Sequence, residues 1–183
     1  ERIRETFGTY VGRDVAEHIL SEEGGAEGQE VEVTLMFLDV RDFTGFAERA
    51  VPQEVVSALN RLFETAVPIV RKHGGHIDKF IGDGFLAVFG APRPASDHAD
   101  QALAAALEIA RAVEELPGQQ LSIGIGINSG TVVAGSIGGA GRLDFSVIGD
   151  AVNVAARIEA ATRQTGDVIL LSERTRELLR GSY

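Results

Sequence analysis

The chain has 183 residues, 44% hydrophobic and 24% charged, which is the length and balance of one soluble globular domain with a sizeable core. Its net charge of -10 and pI near 4.8 argue against an extended nucleic-acid or anionic-membrane surface but leave room for a local basic pocket that holds phosphate. The absence of cysteine excludes disulfides and thiolate metal sites, and no apolar run reaches membrane-spanning length.

Residues 1–20 place Ile3, Phe7, Val11, Val15 and Ile19 at four-residue steps, a helical stripe interrupted by Gly8 and Gly12. The stripe suits equally a helix docked on its own domain and a connector or dimer contact. "SEEGGAEGQE" reads as an exposed linker, so residues 1–29 form a helical lead-in and linker, and residues 30–183 the main domain. "EVEVTLMFLDV" begins with strand alternation and becomes continuously apolar, as a central strand buried on both faces does. Asp42 or Thr44 can cap a short helix, and Val55, Leu59, Leu62, Phe63 and Val67 mark a longer amphipathic one that stops at Gly74-Gly75.

"HIDKFIGDGFLAVFG" reads as two short strands turning at Gly82-Asp83-Gly84. A Pro-rich turn and an Ala/Leu-rich helix to about Leu116 follow. "LSIGIGINSGTVVAGSIG" gives a second strand pair, "GGAGRLD" a loop and "FSVIG" a short strand. "DAVNVAARIEAATRQ" is a helix, and a last strand around "DVILL" precedes a helix from Ser172. This order predicts an α+β fold, a ferredoxin-like βαββαβ palm with extra C-terminal strands and helices, the helices covering one sheet face. No G-x-G-x-x-G opens a helix after a strand, so a Rossmann fold is not indicated.

The chemistry gathers at strand ends. If the hairpin flanks the first strand, Asp39 and Asp83 emerge at one sheet edge, where two carboxylates repel unless one is protonated or a cation sits between them. A hard divalent ion with few protein oxygen ligands suits Mg²⁺ or Mn²⁺ on a phosphate substrate. The simpler role for Asp83 is the turn itself. Beyond Asp39, "VRDFTGF" enters a helix whose free N–H groups can receive phosphate oxygens. Asn153 and Arg157 share one helix face; Arg157 can pair at the surface with Asp150 or Glu159, or the two can orient a sugar and stabilise phosphate charge. Asp42 reads as a cap or surface group and Asp144 as a structural loop residue. His73 and His76, separated by a helix stop, do not make a metal pair.

Four blocks, "MFLDVRDFTGF", "GGHIDKFIGDGFLAVFG", "GINSGTVVAGSIG" and "DFSVIGDAVNVAARIE", together resemble the class III nucleotidyl cyclase catalytic domain from about Val31 onward. "FSVIGD" is similar to the bacterial adenylyl cyclase branch with threonine or serine at the base-reading position, and "FGTYVGRDVAEHIL" to the lead-in helix of such domains. The resemblance implies a head-to-tail homodimer with each active site shared between two chains. Asp39, Asp83 and the backbone carbonyl of Val40 would hold two divalent cations, Mg²⁺ or Mn²⁺, and Phe43 and Thr44 would contact the substrate. Lys79 and Ser146 of the partner would read adenine, and its Asn153 and Arg157 would position the ribose and stabilise the transition state.

The implied reaction converts ATP to 3',5'-cyclic AMP and pyrophosphate. Lysine at position 79 suits the adenine N1 acceptor, where the guanine-reading branch usually carries glutamate. The basic residue with which the family binds terminal phosphates on a late hairpin has no counterpart before Tyr183, so the domain is read as truncated there or the ligand as coming from elsewhere. Competing readings are a guanylyl cyclase, a noncatalytic nucleotide-binding dimerisation module, and a diguanylate cyclase, whose usual Gly-Gly-Asp/Glu-Glu-Phe hairpin is absent. Because the chain starts at Glu1, an upstream regulatory or membrane domain is expected outside it, with this domain cytoplasmic or the cytosolic part of a membrane-associated protein.

Overall fold

The apolar run in the first predicted strand becomes the spine of the sheet. In the computed structural model, which describes residues 28–118, 121–139 and 142–183, β1 (Gln29–Arg41) pairs antiparallel with β3 (Gly84–Phe89) on one side and β4 (Ser122–Gly139) on the other. β2 (Gly75–Ile81) hairpins onto β3, and β5 (Arg142–Ile148) onto the second half of β4. The order is β2-β3-β1-β4-β5, and β6 (Ile169–Leu171) runs parallel to β4. The four strands β2-β3-β1-β4 give the antiparallel ferredoxin-like palm the sequence predicts. The stripe over residues 1–20 and the expected linker lie outside the described residues.

Helix packing follows the strand pleat. Met36, Leu38 and Val40 project to one face, where they pack with Phe85, Ala87 and Phe89 against α2 (Pro52–Lys72) and α3 (His98–Glu114). α2 buries Ala58, Leu62, Ala66 and Val70, so its core stripe lies beside the larger Leu59 and Phe63, which are only partly buried. Val33 and Leu35 project to the opposite face, where they join Leu86, Val88, Phe145, Val147 and Ala155 of α4 (Asp150–Thr165). Helices therefore cover both faces of the sheet, and the expectation of one covered face is corrected. The second layer is α4, which seats on β4 at Gly124 and Gly126, a close approach that no local periodicity signals. A Cβ on Gly126 would lie 2.2 Å from the Glu159 nitrogen, and one on Gly124 2.5 Å from Thr162 Oγ1.

A second correction concerns β4. The sequence reads as a strand pair there, but the 18 residues run as one strand. Residues 122–134 pair with β1 and residues 133–139 with β5, overlapping at Val133 and Ala134. α1 (Phe43–Arg49) opens directly after β1, and α5 (Glu173–Leu178) is capped by Ser172, whose Oγ accepts from the Thr175 N–H at 3.1 Å. A buried polar chain ties the layers together: His98 Nδ1 and Thr34 Oγ1 lie 2.7 Å apart, Thr34 and Ser129 hydroxyls 2.7 Å, and Ser129 and Thr175 hydroxyls 2.9 Å. Buried hydroxyls in an apolar core need such partners.

Candidate active site

The hairpin tip arrives beside the end of β1. The β1–β3 ladder closes at Leu38↔Phe85, and Gly84 is pressed so tightly onto β1 that a Cβ there would sit 2.0 Å from the Leu38 carbonyl oxygen. Only glycine permits that approach. It places Asp83 next to Asp39, as the sequence anticipates. Burial and then the Asp83 charge raise the Asp39 carboxyl above its ordinary range, while the Arg163 guanidinium opposes both. Asp39 Oδ1 accepts from the Val40 N–H at 3.0 Å, and Oδ2 accepts from Arg163 Nη2 at 2.7 Å. Val40 keeps its side chain in the core, 1% exposed.

Arg163 is the cation that this carboxylate pair holds from within the chain. It also lies 3.8 Å from Glu159 on the preceding turn of α4. Burial, then the charge of Asp39, pushes the Glu159 carboxyl up, and its Oε1 is buried without a hydrogen-bond partner. Arg41, two residues past Asp39, donates to the carbonyls of Thr162 and Asp167 and so pins the C-terminal end of α4, where a cation also suits the helix dipole. The local arrangement is a carboxylate-rich corner with the Arg163 guanidinium across it. Its hard oxygen donors fit a divalent metal such as Mg²⁺ or Mn²⁺ better than a soft one.

The second group forms where β2 meets β5. The β2–β3 register skips a residue between Ile77 and Lys79, making Asp78 an extra, bulged residue. The bulge lets neighbouring side chains converge: Lys79 Nζ is 3.5 Å from Asp78 Oδ2, with the Lys79 side chain half exposed and the Asp78 side chain fully buried. Ser146 donates to the same Oδ2 at 3.2 Å. Burial raises the Asp78 carboxyl, and Lys79, Ser146 and the Val147 backbone counteract it. Lys79 and Ser146 are thus brought together, although their strands stand at opposite ends of the sheet order. His76 and Phe145, with ring centroids 6.0 Å apart, pack the same crossing from behind.

Asn153 and Arg157 form a third group. Both are exposed on α4, and Arg157 approaches Asp150 at 4.0 Å with both side chains in solvent. Among the described residues, no hydrogen bond or ion pair joins them to Asp39 or Asp83. Phe43 and Thr44 open α1 just past the carboxylate pair. Asp42 occupies the N-cap position but with φ 49° and no side-chain cap; it pairs instead with Arg49 at 3.5 Å in solvent. His73 pairs with Glu108 at 2.6 Å, and His76 sits in the interior.

Sequence reasoning missed Asp78, Glu159, Arg163 and Arg41. Glu159 and Arg163 stand four apart on α4, as Asn153 and Arg157 do, but about a third of a turn away around the helix. That second pair was a legible signal for a second functional face. Asp78 gave none, because its position depends on the bulge.

Residues 26–183 match the adenylate and guanylate cyclase catalytic domain family. Two uncharacterised proteins of Mycobacterium tuberculosis are 40% identical over 171 and 183 residues, covering 92% and 100% of this chain and 31% of each relative. The chain thus spans about a third of those relatives' length. Among solved structures, a bacterial light-regulated adenylyl cyclase superposes with TM-score 0.87 at 29% identity, over 100% of this chain and 55% of that one. The guanylyl cyclase Cya2 gives 0.77 at 38%, over 84% and 81%. The adenylyl cyclase CyaB from P. aeruginosa gives 0.74 at 30%, over 83% and 82%. Matched over residues 26–183 and sharing the fold of these cyclases, the chain belongs to the adenylate and guanylate cyclase catalytic domain family.

Proposed function

We propose that this domain is an adenylyl cyclase acting as a homodimer on ATP. The observation that carries the choice of ATP is Lys79 beside Ser146, a cationic donor and a hydroxyl held by one carboxylate. Lysine donates to adenine N1, which is an acceptor; guanine N1 carries hydrogen and repels that donor. Lys79 and Ser146 read the base, Phe43 and Thr44 contact the triphosphate, and Asn153 orients the ribose. Arg157 meets negative charge that builds on the α-phosphoryl oxygens, and such a donor typically contributes about 3 kcal/mol.

Asp39 and Asp83, with the Val40 carbonyl, are the groups to hold divalent cations. When bound, such ions lower the pKa of the 3'-hydroxyl and neutralise the triphosphate. The 3'-oxygen forms a bond to the α-phosphorus as the α–β phosphoanhydride bond breaks; the hydroxyl proton passes to solvent and pyrophosphate leaves. Reactant and nucleophile belong to one molecule, so holding the ribose in line is the main task of the side chains.

Two features support a shared site. Asn153 and Arg157 face solvent without reaching the carboxylate pair of their own chain. Apolar side chains also stand exposed on the strands that carry the base-reading group and on β4: Phe80 at 56%, Ile148 at 57%, and Val133 and Ile137 at just over two-fifths. Chromatographic product analysis with Mn²⁺ and either ATP or GTP, for the wild type and Asp39→Ala, tests the proposal. Cyclic AMP and pyrophosphate, rising faster than linearly with protein and absent in the variant, are expected. Cyclic GMP as the main product would refute the ATP assignment. Nucleotide binding without any cyclic product, unaltered in dimerisation by Asp39→Ala, would favour a binding module.

A further inference from the structure

We propose that Asp78 is a positioning residue that sets base selection, by fixing the hydroxyl of Ser146 as a hydrogen-bond donor to the protein and therefore as an acceptor toward the nucleotide. The inference rests on the adenylyl cyclase reading and adds to it the residue that decides the direction of one hydrogen bond. A serine hydroxyl is ambivalent, with one hydrogen and two lone pairs. In this chain the ambiguity is removed. Asp78 is bulged out of the β2 register, its side chain is fully buried, and its Oδ2 accepts from Ser146 at 3.2 Å across the β2–β5 crossing. The second oxygen, Oδ1, is buried without a hydrogen-bond partner, and the ionised carboxylate, which Lys79 and Ser146 favour against burial, accepts and does not donate.

With its hydrogen committed to Asp78, Ser146 offers only lone pairs outward. Lys79, 3.5 Å from the same oxygen and half exposed, offers only N–H groups. The pair therefore presents an acceptor beside a donor. Adenine answers with the complementary order, the N6 amino group donating and N1 accepting. Guanine presents the reverse at the same edge, O6 accepting and N1–H donating, and leaves a donor facing Lys79 and an acceptor facing a lone pair. Mismatches of this kind discriminate strongly because the buried polar groups lose their partners. Asp78 touches neither base; it acts through the two residues that do.

The test is equilibrium binding, by titration calorimetry with Mn²⁺, of 3'-deoxy-ATP and 3'-deoxy-GTP, which lack the attacking hydroxyl and so are not turned over. Wild type, Asp78→Asn, Ser146→Ala and the double variant are compared, with melting curves to establish folding; Asp78→Ser replaces Asp78→Asn if the amide is not accommodated. The wild type is expected to favour the adenine analogue. Asp78→Asn can donate from its amide and free the Ser146 hydrogen, so the adenine-to-guanine preference should fall about tenfold. In the Ser146→Ala background the same change should leave the preference where Ser146→Ala put it. Equal weakening of both analogues by Asp78→Asn, or an undiminished shift without Ser146, would overturn the proposal and leave Asp78 as a strand tie. A wild type that favours the guanine analogue would instead sink the ATP reading itself.

Discussion

Arg163 donates to Asp39 across 2.7 Å from a helix whose other polar face carries Asn153 and Arg157. One helix thus serves two destinations. Glu159 and Arg163 turn inward to the carboxylates of their own chain, while Asn153 and Arg157 turn to solvent. The cation on Asp39 is internal, and a metal ion entering there would compete with it.

Removing that internal cation should have opposite effects with and without metal. In Arg163→Gln, the like charges of Asp39, Asp83 and Glu159 lose their counter-ion. The metal-free protein should lose about 0.5–1 kcal/mol, a small value because the Arg163 side chain is 47% exposed. Mn²⁺ should raise the melting temperature of the variant more than that of the wild type, since binding adds stability according to occupancy and the competitor is gone. Melting curves across a Mn²⁺ titration read both effects, and an identical metal response in the two proteins would count against competition.

Two inactive variants should restore each other. If each site is shared between two chains as proposed, Asp39→Asn disables the metal half of a site and Arg157→Ala the half supplied by the partner. In an equal mixture, half of the two-fold dimers are mixed and each of those holds one intact site, giving about a quarter of wild-type activity. Cyclic AMP production of the mixture against either variant alone measures this; continued inactivity after subunit exchange would argue for sites complete within one chain.

Acid should weaken the fold through His98. Burial lowers its pKa from the ordinary 6.5, outweighing Glu32 and Asp97, which raise it. The unfolded chain then binds a proton at a higher pH than the folded one, so this contribution is present above about pH 6.5 and is lost as pH falls toward the lowered folded value. His98→Gln should melt lower at pH 7.5, having disturbed the contact with Thr34, yet show a flatter decline between pH 6.5 and 5. Parallel pH profiles for the two proteins would exclude His98 as the source.

Glycines on the α4 seat should be intolerant where remote ones are not. Gly126→Ala drives a methyl group to 2.2 Å from the Glu159 backbone nitrogen and 2.8 Å from the Ala155 carbonyl oxygen, and overpacking of this kind costs about 1–3 kcal/mol or more. Gly139→Ala meets nothing within 4 Å and should stay within about 0.5 kcal/mol of wild type. Urea denaturation of the two variants makes the comparison.

Local pattern was enough for part of this architecture. The apolar run to Val40, the glycine-rich hairpin and the α4 sequence carry their own periodicity, so the meeting of Asp39 and Asp83 at one sheet edge follows from the sequence once the hairpin flanks β1. The unbroken β4 was not legible, because "NSG" has turn chemistry that pairing with β1 overrides. Asp78 and Arg163 were illegible for a different reason. Each acquires its role from a residue 68 or 124 positions away, which no local window contains.

The direct seating of α4 on the backbone at Gly124 and Gly126 has a consequence for how the domain ages in sequence. The α2–α3 layer meets the sheet through leucines, valines and phenylalanines that can exchange volume with one another. At Gly126 main chain meets main chain, and at Gly124 the Thr162 and Glu159 side chains fill the space a Cβ would take, so helix height at this seat is fixed by contacts that tolerate no added atom. Mutational drift can rework one side of the sheet while the distance from Arg163 to Asp39 keeps its setting, and the tolerance map of the domain should be lopsided, permissive on one face and rigid on the other.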